Sequence, residues 1–317
     1  MDIDYATRRP TSADVSPLVY IILVNWNAGG HTLACLESLR NLSYPSYKVL
    51  VVDNASSDGS PDAIAAAHPD LALVRLPRNL GFTGANNVGF HHALAQEAQF
   101  VYLLNTDTRV APDFLSAAVT TATSSPDIGV VGSKVLQAAR PTHLQFAGGR
   151  VNLHTGYNGR PMGYGKQDHG QCDHVTDVAW VTGCAMLISR ACVEATAGLD
   201  DAFFAFHEDI DLCLRARAQG FRVVMSPQSR VWHEGGGSMG GGASALHMYY
   251  DVRNGLRLVH KHNPITARLG RLARTCCIIG AHVLQVLLMG PTNAALRAIA
   301  DGVKDYYRGV THARPSS

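Results

Sequence analysis

Two stretches of this chain carry residue types suited to breaking and making polar bonds. His207-Glu208-Asp209-Ile210-Asp211-Leu212 sets a histidine and three carboxylates at the start of a helical pattern. A carboxylate so placed can take the proton from a hydroxyl nucleophile. It can equally cap the helix and complement its dipole. Capping explains less well why these groups directly follow the apolar Phe203-Phe204-Ala205-Phe206. The second stretch is Asn105-Thr106-Asp107, after the apolar Tyr102-Leu103-Leu104. A carboxylate there can ligate a hard divalent cation, shared with the oxygens of a leaving diphosphate. Asp-x-Asp is the usual form of such a site. Asn105 holds its first position, so Asp107 is the expected direct ligand and Asn105 a nucleotide contact. His233 closes a later run, Val231-Trp232-His233, ahead of two glycine triplets within residues 235–242. It suits a structural role or a ligand role, and the triplets read as a mobile stretch.

These groups need elements to hold them. Residues 19–24 form a continuous apolar run ending at Asn25-Trp26-Asn27, as in a strand buried on both faces. Residues 49–52 form a second run, ending at Asp53, and 71–76 a third. Phe100 to Leu104 is a fourth. Helices are expected over 31–40, from Ser60-Pro61 onward, and up to about 98 after a polar loop at 78–87. This alternation predicts an α/β sheet, parallel over its first half. Asn25, Asp53, Asn79 and Asp107 all lie where open α/β sheets bind ligands, beyond the carboxyl ends of their strands. From 110 to 179 the pattern weakens. An apolar segment returns at 180–189, a helix is expected over 207–220, and the chain reads as helical from the glycines to about 310.

Of the 317 residues, 46% are hydrophobic and 16% charged, which permits a sizeable core and excludes wholesale disorder. The net charge of +2 hides an asymmetry. Residues 243–317 hold ten Lys/Arg and three Asp/Glu, so the tail is basic and the body before it acidic. A basic tail is expected to meet something anionic. Seven cysteines without a Cys-x-x-Cys pair argue for a reducing compartment rather than a disulfide framework. Residues 1–17 are polar and lack an apolar signal segment, so a disordered N-terminus and a cytoplasmic location are expected.

Read together, the motifs resemble family-2 glycosyltransferases with the GT-A fold, in particular the bacterial rhamnosyltransferase-like branch. The resemblance is carried by Val24-Asn25-Trp26-Asn27, by Val51-Val52-Asp53-Asn54-Ala55-Ser56-Ser57-Asp58-Gly59-Ser60, and by Arg78-Asn79-Leu80-Gly81-Phe82-Thr83-Gly84-Ala85-Asn86-Asn87. It continues through Leu104-Asn105-Thr106-Asp107, Thr182-Gly183-Cys184-Ala185-Met186, Phe206-His207-Glu208-Asp209-Ile210-Asp211-Leu212, Trp232-His233 and Tyr249-Tyr250-Asp251-Val252-Arg253-Asn254. The match spans residues 18–262. It implies a Rossmann-like, mostly parallel sheet flanked by helices over 18–242, with a helical basic appendage over 243–317. It implies inverting, metal-dependent transfer of a sugar from a nucleotide diphosphate to a hydroxyl of a glycan or lipid-linked glycan. Rhamnose from dTDP-rhamnose is the first reading. Another UDP- or GDP-sugar, or a non-catalytic sugar-nucleotide-binding homologue, is the alternative.

The resemblance also assigns roles. Asp53 would bond the pyrimidine, with Val24, Asn25, Trp26 and Asn27 lining the base, and Asn54 and Asp58 close by. Asn79, Gly81, Phe82, Gly84, Asn86 and Asn105 would lie along the ribose and diphosphate. Asp107 would hold Mg²⁺ or Mn²⁺, with His233 as second ligand. Asp209 would be the base and Glu208 its neighbour, with Trp180, Gly183 and His207 in the acceptor site.

Other readings fit less well. No Gly-x-Gly-x-x-Gly follows the first strand, against a nicotinamide enzyme, and no glycine-rich loop with lysine follows it, against a nucleotidyltransferase. His169, Cys172 and His174 lack a fourth zinc ligand. In the tail, Ile265, Leu269, Leu272, Cys276, Ile279, Val283 and Leu287 recur at helical spacing. The apolar stretch 276–290 is short for a bilayer. The stripe suits core packing, a homodimer interface or the membrane surface. No nucleic-acid partner is expected.

Overall fold

The computed structural model describes residues 16–153, 161–235, 244–265, 268–289 and 292–314. All but the last two residues of the N-terminal segment read as disordered, and most of the glycine stretch read as mobile, lie outside the described residues; the Pro17 carbonyl accepts from the Tyr44 hydroxyl. Apolar runs become strands where the anticipated alternation puts them. β1 (Val19–Asn25), α1 (Gly29–Leu39), β2 (Tyr47–Asp53), α2 (Ser60–Ala67), β3 (Ala72–Arg75), α3 (Gly81–Ala95) and β4 (Phe100–Leu104) build the first half. β5 (Thr108–Val110), α4 (Phe114–Thr123), β6 (Ile128–Gln137), β7 (Arg140–Phe146), β8 (Thr176–Asp177), β9 (Ala185–Ser189), α5 (Arg190–Thr196), α6 (Glu208–Ala218) and β10 (Arg222–His233) complete the body.

The sheet order is β3-β2-β1-β4-β9-β6-β10-β5, with β7 beside β6 and β8 beside β10. β3, β2, β1 and β4 run parallel. Beyond β4 the sheet is mixed: β9 is antiparallel to β4 and β6, and β10 is parallel to β6. The order reverses at β1, whose neighbours are β2 and β4. Such a switch point opens a crevice at the carboxyl ends of the strands. Asn25 and Asp53 stand opposite each other there, level with Arg75.

Two elements differ from the sequence reading. α3 begins at Gly81, so most of the expected polar loop is helix. The buried strand β6 lies where the apolar pattern fades, because Gly129, Gly132, Ser133 and Lys134 interrupt it. Each interruption has a packing reason. A Cβ on Gly132 would lie 2.5 Å from Val181 Cγ1. Ser133 Oγ lies 2.5 Å from both the Tyr102 and Ser229 hydroxyls. Lys134 Nζ donates to Asp168 at 2.8 Å and also to Asp173. Polar groups buried in a sheet persist when paired in this way.

The tail is helical: α7 (Ala245–His262), α8 (Arg268–Met289) and α9 (Asn293–Tyr307). α7 and α9 approach closely at Gly302, where a Cβ would sit 2.6 Å from the Tyr249 carbonyl. α7 also packs on the segment before α6, sharing an apolar cluster with Phe204 and Ala205. On α8 Arg274, Thr275, Ile278 and Val286 are buried, whereas Leu269, Leu272, Leu284, Leu287 and Leu288 are exposed. The expected stripe is therefore split: Ile279 and Val283 pack partly against the buried cluster, and Leu269, Leu272 and Leu287 do not. The apolar part of α8, Leu269–Leu288, has 20 residues and is long and apolar enough to cross a membrane by length and composition alone. It exceeds the stretch read from sequence because Arg271 and Arg274 interrupt the pattern without ending the helix.

Candidate active site

At the ends of β1 and β2 the polar side chains are laced together. Asn25 is fully buried; its amide donates to Asp53 Oδ1 at 2.8 Å and Ser60 Oγ at 2.7 Å, and it accepts from the Thr32 hydroxyl at 2.7 Å. Asp53 Oδ2 accepts the Ser56 N–H. Asn27, at φ 49°, donates its N–H to Ser56 Oγ and accepts from the Ser57 N–H. Val24 and Trp26 are half-buried beside it. Asn54 ties this corner to the next: its amide donates to Asn79 Oδ1 and the Gly81 carbonyl, and its oxygen accepts from Leu80 N–H. Gly81 has φ 76°, and a Cβ there would lie 2.4 Å from the Phe204 carbonyl. Only glycine fits that conformation and contact together. Gly84 packs on Leu80. Asp58 is exposed and caps α2 through the Ser60 N–H, while the Asn86 amide bonds the Phe82 carbonyl of its own helix.

β4 delivers Asn105 and Asp107, and the end of β10 delivers His233. Asp107 Oδ1 lies 3.1 Å from His233 Nε2, and the Asn105 amide 3.4 Å from the same nitrogen. Burial pushes the Asp107 carboxyl up, but the hydrogen bond and charge of His233 hold it below its usual value. It thus stays ionised. The Gln145 amide lies 2.7 Å from His233 Nδ1 and fixes the ring. One hard oxygen donor and one imidazole, converging at the crevice, fit a divalent cation that takes its remaining ligands from phosphate and water. Among the described residues no cluster of three His, Cys, Asp or Glu forms a closed metal cage.

The acids of α6 lie across from this pair. His207, at φ 68°, precedes the helix; Glu208 and Asp209 open it. Asp209 Oδ2 accepts the Gly183 N–H at 3.0 Å, and Oδ1 accepts the Ile210 N–H. Burial pushes the Asp209 carboxyl above its usual value, against these hydrogen bonds. Burial, then the charge of Asp209, pushes Glu208 much further up. Gly183 sits where Phe82, Glu208 and Asp209 meet: a Cβ there would lie 3.4 to 3.6 Å from atoms of all three. The next residue joins the two halves. The Cys184 carbonyl accepts the Asn105 N–H, and burial, then the Asp107 charge and the Asp209 charge, push the Cys184 thiol up. Asp211 faces away from this crevice to Arg215, Lys261 and His262, which hold it at about 2 against burial.

The structure thus brings together Phe82, Gly183, Glu208 and Asp209, and separately Asn105, Asp107 and His233. Trp180 is placed in the core instead, against Phe146, with its indole N–H on the Arg150 carbonyl. Cys172 packs beside Leu136 and Leu144, and its neighbours Asp168 and Asp173 are engaged by Lys134. Sequence reasoning missed Asp251, Arg253 and Asn254 as supports of the acid site. Arg253 and Asn254 are fully buried and bond the carbonyls of the 203–206 segment. A charged residue in the apolar face of α7 was the available signal.

A model described as Glycosyltransferase like family 2 matches residues 16–246. The N-acetylglucosaminyl-diphospho-decaprenol L-rhamnosyltransferase of Mycobacterium tuberculosis is 26% identical over 243 residues, 72% of this chain and 78% of that protein. A mannosyltransferase from Pyrobaculum calidifontis, solved with GDP-Man and Mn²⁺, superposes with a TM-score of 0.55 at 18% identity over 93% of this chain and 90% of its own. S. aureus TarS 1-349 with UDP-GlcNAc gives 0.58 at 15% identity, over 92% of this chain and 81% of its own.

Proposed function

The chain belongs to glycosyltransferase family 2, and from that premise we propose that it moves a sugar, rhamnose from dTDP-rhamnose first, to a hydroxyl of a glycan or lipid-linked glycan with inversion at the anomeric carbon. It is a glycosyltransferase of GT-A fold. The observation that carries the mechanism is Asp209, fixed by the Gly183 N–H with its basicity raised by burial. A positioned base of raised pKa accepts a proton from the attacking hydroxyl more readily at neutral pH. Glu208, its carboxyl pushed well above the usual range by burial and then by the charge of Asp209, lies beside it to bond a hydroxyl of the acceptor. Asp53, Asn54 and the 24–27 loop receive the nucleotide, and the start of α3 borders its diphosphate.

Asp107 and His233 would hold Mg²⁺ or Mn²⁺, which neutralises charge developing on the leaving diphosphate. Mn²⁺ in the similar mannosyltransferase supports this assignment. The rhamnose reading is supported by the 26% identical L-rhamnosyltransferase. UDP-GlcNAc and GDP-Man in the similar structures keep UDP- and GDP-sugars as the second reading. Residues 18–242 form the catalytic unit in this proposal, and the basic tail, with its exposed leucines, meets the inner face of the cytoplasmic membrane. The test is a screen of nucleotide sugars for release of the nucleoside diphosphate, with Mg²⁺ or Mn²⁺ present. Release from at least one donor is expected. None from any donor, by folded protein, overturns the reading.

A further inference from the structure

The acid site is wired to the tail through one carboxylate. Asp251 Oδ1 lies 2.6 Å from His207 Nε2, and Asp251 Oδ2 lies 3.0 Å from His282 Nε2. His282 Nδ1 lies 2.8 Å from the Ile278 carbonyl. Three elements meet here: the turn into α6, helix α7 and helix α8. Among the described residues, three buried side-chain atoms have no hydrogen-bond partner, and two are His207 Nδ1 and Glu208 Oε2. Buried polar atoms are rarely left so, and two on adjacent residues of one site point to a ligand with polar hydrogens.

We propose that Asp251 is a positioning residue for the acceptor: it keeps the His207 proton on Nε2, so that Nδ1 offers a lone pair to a hydroxyl of an uncharged sugar ring. This rests on the transfer reading above. The proton arrangement follows from the partners. A carboxylate accepts only, so both facing Nε2 atoms donate to Asp251. A carbonyl also accepts only, so His282 carries a proton on each nitrogen and is charged. Among the described residues nothing pairs with His207 Nδ1, which leaves that nitrogen for the ligand. The shifts agree in direction. Burial opposes the Asp251 charge, yet the two histidines hold its carboxyl well below the usual range. Burial lowers His282, yet Asp251 raises it overall. The other titratable groups whose charges reach the cluster are His247 on α7 and Asp209 on α6.

The ligand class follows from what the site offers. His207 Nδ1 accepts a hydrogen bond. Glu208, protonated, donates one or, ionised, accepts one. Asp209 accepts. A sugar hydroxyl both donates and accepts and meets these needs, whereas a phosphate at this point would face lone pairs and negative charge. The acceptor's reacting ring is therefore neutral, whatever it is attached to.

The test uses His207→Ala, Asp251→Asn, the double variant and Asp251→Glu in the full chain. Each of the first two is expected to lower kcat/KM for acceptor about 10- to 100-fold, chiefly through KM, with donor affinity by calorimetry within about twofold of wild type. The double variant is expected to be no worse than either single, since both remove one interaction. Asp251→Glu restores part of the loss. Additive losses, or donor affinity falling in step with acceptor affinity, overturn the proposal in favour of a structural role. Nitrogen NMR of histidine-labelled wild type reads the arrangement without turnover: two protonated nitrogens on His282 and a proton on Nε2 alone of His207. A His207 proton on Nδ1 refutes it. Failure of the transfer reading shows separately, as no nucleotide release from any donor by wild type.

Discussion

Asn254→Ala is expected to disable the enzyme from a position that touches no substrate. The segment ahead of Glu208 is conformationally costly: Phe204, Phe206 and His207 have φ of 63°, 67° and 68°. Each such residue costs about 1–3 kcal/mol and persists only when its surroundings over-determine it. Asn254, fully buried in α7, does this. Its Nδ2 lies 2.9, 2.6 and 2.8 Å from the carbonyls of Phe203, Ala205 and Phe206, with two N–H bonds shared among three acceptors. Removing two hydrogen bonds and leaving buried carbonyls unpaired should cost about 3 kcal/mol. That is a large part of a typical 5–15 kcal/mol stability, yet it leaves most molecules folded at about 25 °C. The freed segment lets Glu208 and Asp209 shift, and a displacement of about 1 Å can lower turnover about 100-fold. Urea unfolding gives the first quantity and kcat/KM of the folded variant the second. Wild-type values of both would refute the claim that Asn254 holds the acid site.

Further outcomes are expected at the metal pair, in the pH dependence of stability and in the tail. Asp107→Ala should abolish the metal dependence of donor binding; calorimetry with Mn²⁺ and with EDTA decides, and equal donor affinity in both for wild type contradicts the metal assignment. The Asp211 carboxyl, lowered from 3.8 to about 2, contributes stability present above 3.8 and lost as pH falls toward about 2. That contribution is about 2 kcal/mol, so Asp211→Asn should flatten the acid limb of a stability profile, and an unchanged limb rejects the ion cluster. The raised His282 works in the other direction, its stabilisation present below its ordinary 6.5 and lost as pH rises through the folded value. The tail should bind anionic liposomes at low salt and release them at high salt, since each basic residue near the surface contributes about 1 kcal/mol that counter-ions screen. Indifference to anionic liposomes, with a dimer lost on deleting 243–317, assigns the exposed leucines to a subunit interface instead.

The first half of the sheet was legible because β1, the second half of β2 and β4 are mostly buried apolar runs, and each is closed or followed by a polar residue, Asn25, Asp53 and Asn105. Strand β6 was not. Its glycines and Ser133 answer to neighbours distant in sequence, Val181, Tyr102 and Ser229, which periodicity cannot see. The start of α3 was hidden by its composition: Gly81, Thr83, Gly84 and Asn86 read as loop, yet contacts with Phe204 and Leu80 demand small residues there. The clustering of Gly183 with Glu208 and Asp209 was reached only through the family's motifs. Trp180 shows the limit of that route, since a large aromatic near a motif is as readily core as site. The supports from α7 and α8 depend on tertiary contacts across residues 203–282. Asp251, Arg253 and Asn254 lie in a stretch that the sequence marks as a motif, but neither it nor His282 shows in sequence which carbonyl or imidazole each side chain reaches.

The central claim is direct displacement at the anomeric carbon by a hydroxyl that Asp209 deprotonates. The most direct measurement is the anomeric configuration of the transferred sugar, read by NMR on the product of wild type and of Asp209→Asn. Inversion relative to the donor is expected, with a loss of about 10²- to 10⁴-fold in transfer by Asp209→Asn and donor affinity retained. A retained configuration, or near-normal turnover by folded Asp209→Asn, contradicts it.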